Sequence, residues 1–155
     1  MTGARPASPA VRVLDLLLCW TGGLVGYLVG EYGAGAVLAA TIGDGGVAAV
    51  PSWTWLPWLA GPVLCGLLAG SVLALLRVRT PWWTWLLAGG FVPLAASPVT
   101  GLVTAGAVDL GDLALAVAVQ VLVACVAAAA VGAVARVVGR RAPAPRPAPP
   151  ASYSS

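Results

Sequence analysis

The sequence predicts an all-α membrane protein: a four-transmembrane-helix bundle with both termini cytoplasmic, a kinked third helix and a disordered Pro-rich C-terminal tail. Three observations carry that prediction. The chain is 60% hydrophobic and 8% charged, against roughly 25% charged residues in soluble domains, so it has too little polar surface to cover a water-facing globule. Its apolar residues gather into runs long enough to cross a bilayer. Finally, its eight basic residues are all arginines, and four crossings place every one of them on the same side.

Residues 1–12 form a short cytoplasmic segment holding Arg5 and Arg12. Span one covers about 13–42, and at 1.5 Å per residue it would reach about 45 Å, longer than a hydrocarbon core of about 30 Å. The helix must therefore tilt or fray, the natural fraying point being Gly33–Ala34–Gly35. A loop with Asp44, Gly45, Gly46, Pro51 and Pro57 leads to span two, about 58–76, with Pro62 tolerated in its first turn. Arg77 and Arg79 make a very short connection closed by Pro81. Span three, about 82–105, is interrupted by Pro93 and Pro98. Asp109, Gly111 and Asp112 form the next loop, and span four, about 113–135, has Gln120 as its only strongly polar residue. The transmembrane domain is thus 13–135, followed by 136–155, a basic then Pro/Ala-rich tail expected to be disordered, its residues 142–155 too proline-rich for helix or sheet.

Arginine placement fixes the count. Arg5 and Arg12 precede span one, Arg77 and Arg79 separate spans two and three, and Arg136, Arg140, Arg141 and Arg146 follow span four. Asp44, Asp109 and Asp112 share the opposite side. Splitting the first run into two passes would put Arg5 and Arg12 on the wrong side. The first run is also far longer than the 7–15 residues of a typical signal-peptide core and is interrupted by Asp15 and Glu31, which argues against cleavage. Abundant Ala, Gly and Arg with no lysine point to codon pressure in a GC-rich bacterial genome, by expectation actinobacterial, and so to a bacterial plasma (inner) membrane.

The net charge of +3 does not imply nucleic acid, because the arginines cluster beside apolar segments and read as topology signals and anionic-lipid contacts. Histidine is absent, and the three cysteines, Cys19, Cys65 and Cys125, lie in apolar runs without a CxxC spacing. They read as small packing residues. No phosphate-binding loop, GxSxG, HExxH or metal-holding acidic cluster occurs, so no catalytic residue, metal site or cofactor is expected, and the chain is not expected to be an enzyme.

The residue that invites function is Glu31, since a carboxyl inside a membrane is expensive and marks a functional site by default. Trp20, Tyr27 and Glu31 follow at spacings of seven and four and share a helix face. Glu31 with Tyr27 is therefore a candidate proton, cation or substrate site. The plainer alternative is an interfacial glutamate, and the depth at which span one enters the bilayer decides between them. Asp15 lies one turn from Arg12 and reads as half of an interfacial pair.

Gly22, Gly26, Gly30 and Gly33 form a candidate helix-packing face, with a shorter one at Gly66 and Gly70. Trp53, Trp55 and Trp58 before span two, and Trp82, Trp83 and Trp85 at the start of span three, read as aromatic belts at the two interfaces. Pro93 and Pro98 free backbone carbonyls in span three, which Ser97 and Thr100 can help satisfy. The expectation for function is a structural or accessory membrane protein that packs against itself or a larger membrane complex. The alternative is a small transporter or channel subunit using Glu31. The partners expected are the lipid bilayer and a second copy or another membrane protein.

Overall fold

A computed structural model describes residues 9–42, 56–76, 80–104 and 110–141. They form four α-helices: α1 (Pro9–Ile42), α2 (Ala60–Leu76, preceded by a 3-10 turn Pro57–Leu59), α3 (Trp82–Thr104) and α4 (Leu110–Arg141). No strand occurs among the described residues. Three helices are long and apolar enough to cross a membrane, over Val13–Ile42, Pro57–Leu76 and Leu110–Gly139, and they mark the chain as a membrane protein. α3, 23 residues long, carries two prolines within it, Pro93 and Pro98.

The helix boundaries differ from the sequence reading in three instructive places. α1 runs unbroken through Gly33–Ala34–Gly35 to Ile42 instead of fraying there. α4 begins at Leu110, with Asp112 in its first turn complementing the positive end of the helix dipole. It also outlasts its apolar run, continuing past residue 135 to Arg141, because arginine is a good helix former and a cation suits a helix C-terminus. α3 is one helix through Pro93 and Pro98. Its start is fixed by Pro81, whose carbonyl accepts from Thr84 N–H at 3.1 Å.

Antiparallel neighbours alternate along the chain. α1 packs along α2, α4 packs on both α2 and α3, and α1 meets α3 more lightly. Glycine makes these approaches possible. A Cβ on Gly26 would fall 2.5 Å from Leu64 O, and one on Gly22 would fall 3.1 Å from Val72 Cγ2, while Gly30 lies directly on the backbone of Ala60 and Gly61. On the other side of α2, Gly66 abuts Ala124 O and Gly70 lies against Ala128 and Val131. Gly89 of α3 meets the same Ala124 and Ala128, so three backbones converge there. Small residues allow this van der Waals packing where lipid supplies no hydrophobic drive between helices.

With this alternation, one end of the bundle carries the start of α1, the end of α2, the start of α3 and the end of α4. Arg136, the one arginine whose side chain is described, lies there and donates to Thr80 O at 3.1 Å. The interior at that end is an apolar cluster of Cys19, Ala69, Leu73, Trp85 and Ala88, all at most 2% exposed. Trp85 thus departs from the belt reading. Trp58, Trp82 and Trp83 face outward, but Trp85 turns inward over Gly132, whose missing side chain makes the space. Outward hydroxyls on the lipid-facing sides satisfy themselves, as Thr21, Thr41 and Ser71 each donate to the carbonyl four residues back.

Candidate intramembrane polar site

Tyr27, Ser97 and Gln120 come from α1, α3 and α4 and meet inside the bundle. Tyr27 is 3% exposed, and its hydroxyl donates to Gln120 Oε1 at 3.0 Å. Ser97 Oγ donates to the same oxygen and lies 3.4 Å from Tyr27 Oη. Cys65 and Val92 close the cluster from α2 and α3. A polar group in a water-free interior must find its partner inside the protein, and these three do so mutually.

Glu31 stands one turn further along α1, and its carboxyl interacts with the Tyr27 hydroxyl. Its Oε1 is enclosed and has no hydrogen-bond partner among the described residues. The reason lies in α2. A Cβ on Gly61 would meet Glu31 Oε1 at 2.8 Å, so the carboxyl oxygen rests on the first turn of that helix. That turn offers it few donors. Pro57 and Pro62 have no N–H, and the N–H groups of Leu59 and Ala60 are committed to Leu56 O and Pro57 O.

Position along the bundle follows from the same contacts. The apolar span Pro57–Leu76 has 20 residues, and Gly61 lies about 6 Å inside its Pro57 end at 1.5 Å per residue. Glu31 is therefore near the end of the bundle away from Arg136. Gly26 packs opposite Leu64, about 10 Å from the same end at 1.5 Å per residue, which sets the neighbouring Tyr27 roughly a third of the way along the α2 span. The polar residues thus occupy one half of the bundle, and the Cys19–Leu73–Trp85 cluster seals the other.

The structure brings Glu31 and Tyr27 together but draws in Ser97 and Gln120, which the sequence reading had not joined to them. Ser97 donates to Gln120 across helices rather than to the backbone loosened by the prolines; the Thr100 side chain lies outside the described residues. Gln120 was visible as the one strongly polar residue of its span. Trp20 shares the α1 face but serves another purpose, stacking on Phe91 with ring centroids 4.0 Å apart and donating to Leu87 O at 3.2 Å, which ties α1 to α3. Of the candidate packing face, Gly22, Gly26 and Gly30 lie on α2, whereas Gly33 has no neighbour within 4 Å. All three cysteines are free thiols. The Arg12 side chain of the expected Arg12–Asp15 pair, Trp53, Trp55, Arg77, Arg79 and residues 142–155 lie outside what is described.

Comparisons with protein-family models, with curated proteins and with solved structures find no match.

Proposed function

We propose that this chain is a small, non-enzymatic protein of a bacterial plasma membrane that binds a proton or small cation at Glu31. It crosses the bilayer four times with both termini and all arginines in the cytoplasm, the third helix bending at its two prolines. The observation that carries the reading is that Glu31 Oε1, enclosed beside Tyr27, has no hydrogen-bond partner among the described residues. A buried carboxyl oxygen left without a donor is costly, and a bound proton or cation removes that cost. The site is entered from the arginine-free face, since the apolar cluster at the other end offers no polar route. Binding of this kind suits an accessory component that responds to its surroundings.

A second reading, docking on a larger complex through glycine faces, has Gly33 and Gly35 as its open glycines on α1, because α2 covers Gly22, Gly26 and Gly30. The two are separated by titrating the purified chain in lipid vesicles with acid, sodium and potassium. The native chain should take up an additional proton or cation relative to Glu31→Gln. Equal uptake by both would sink the binding reading.

A further inference from the structure

We propose that the ligand at Glu31 is a proton and that its arrival is reported to α4 by Tyr27, with the terminal amide of Gln120 turning over as the proton binds and leaves. This rests on the binding reading above and adds the identity of the ligand and the consequence of its binding.

The case is a count of donors and acceptors. Gln120 Oε1 has two lone pairs, and Tyr27 and Ser97 both donate to it. A tyrosine hydroxyl has a single proton, and here it is committed to Gln120. Toward Glu31, Tyr27 therefore presents a lone pair, which only a protonated carboxyl can use. The chain from the Glu31 O–H to the Tyr27 O–H to Gln120 Oε1 then has a donor and an acceptor at every link. It is the proton-loaded arrangement.

The ionised carboxylate has no proton to give, so it is satisfied only when Tyr27 turns its O–H toward it. That move leaves Gln120 Oε1 without its donor and gives Tyr27 a free lone pair facing the amide. A half-turn of the amide replaces Oε1 by Nε2, whose two N–H groups donate to Tyr27 and Ser97. The serine proton then turns back to a carbonyl of its own helix. The oxygen and nitrogen ends of an amide have nearly the same shape, so the half-turn needs no repacking. The proton comes from water on the arginine-free side, adds to a carboxylate oxygen and leaves by the same route.

A metal ion fits poorly. Both hydroxyl protons point at Gln120, both lone pairs of the amide oxygen are used, and Glu31 Oε1 is pressed on Gly61. Few oxygens remain to replace a hydration shell. No charged residue occurs in the 3-10 turn, α2 or α3, and Gly61 is the residue of α2 against which Glu31 Oε1 rests, with Cys65 beside Tyr27. α3 presents Ser97 and α4 presents Gln120. Asp112, at the same end of α4, is exposed.

The test is infrared difference spectroscopy of the full chain in lipid vesicles across a pH titration. Glu31→Gln assigns the carboxyl C=O band, and Gln120→Leu assigns the amide band. In the native chain the two bands should change together. Gln120→Leu frees the Tyr27 O–H for the carboxylate and should weaken proton binding about tenfold, one pH unit. Tyr27→Phe should leave Glu31 titrating while the Gln120 band stops responding, so the link is tested even where the leucine variant fails to fold. A Glu31 band that titrates with an unmoving amide band overturns the coupling and leaves the binding reading standing. Displacement of the proton by sodium or potassium makes the ligand a metal cation and overturns the proposal. A Glu31 band that never titrates, with no cation effect, overturns both.

Discussion

The thiol of Cys65 on α2 donates to the carbonyl of Gly89 on α3 at 3.7 Å. Gly89 is four residues before Pro93, which has no N–H to close the helix at that point. A carbonyl freed by proline inside a membrane needs a donor, and a neighbouring helix supplies a weak one. Cys65, fully buried, is thus more than a small apolar filler.

This pairing gives a first prediction. Cys65→Ala removes both the thiol donor and a buried sulfur, and should destabilise the bundle by about 1–2 kcal/mol. Pro93→Ala restores an N–H for Gly89, so in that background the cost of Cys65→Ala should shrink. A double-mutant cycle in reversible detergent unfolding measures the coupling; strictly additive costs would mean that the thiol bond contributes nothing.

The α1–α2 seam gives a second. In Gly26→Ala the new methyl meets the carbonyl of Leu64, which as backbone cannot rotate away, and the helices must separate. A loss of about 1–3 kcal/mol is expected, as for other overpacked cores. Gly33→Ala meets nothing and should stay within about 0.5 kcal/mol of the native chain, as surface changes do. Similar stability for both variants would remove the seam.

Those two glycines also show how far the sequence could be read. The spacing of Gly22, Gly26, Gly30 and Gly33 places all four on one face, and three of them lie on α2. Gly33 does not: α2 begins opposite Gly30, and a Cβ on Gly33 would have no neighbour within 4 Å among the described residues. Helical period reveals a face but not the length of the helix across from it. Hydropathy located the helices for the same local reason, and it let Tyr27 be paired with Glu31 one turn away on a single helix. It could not pair Tyr27 with Ser97 and Gln120, since their meeting depends on how α1, α3 and α4 are arranged around one another. Trp85 was misread likewise: three tryptophans within four residues at a helix start look like a belt until Gly132 is known to lie opposite one of them.

That contact yields a third prediction. A Cβ on Gly132 would fall 2.7 Å from Trp85 Cδ2, with the indole only 2% exposed and its Nε1 lacking a partner. Gly132→Ala should therefore cost about 1–3 kcal/mol. Trp85→Phe provides a smaller ring and removes an unsatisfied N–H, so adding it should recover part of the loss. Unfolding followed by circular dichroism checks this, and a double variant less stable than Gly132→Ala alone would contradict the packing described.

The last prediction concerns the number of crossings, on which α3 bears most. The three helices long and apolar enough to cross are α1, α2 with its preceding turn, and α4, and if α3 stayed out of the bilayer the chain would cross three times and its two ends would part. Its contacts argue otherwise. Gly89 meets Cys65 and Ala124, Trp85 meets Gly132, Phe91 meets Trp20 and Ser97 meets Gln120. Helices that touch a neighbour along this much of their length must lie at the same depth as that neighbour. α1, α2 and α4 are each long and apolar enough to span, so α3 should span with them, as the arginine bias also requires. Reporter fusions at residues 77–79 and at the C-terminus should be active only in the cytoplasm, and fusions within 43–55 and 105–109 only outside it. A C-terminal reporter active outside while the N-terminus stays inside would remove α3 from the membrane and, with it, the depth assigned to Ser97 and Gln120.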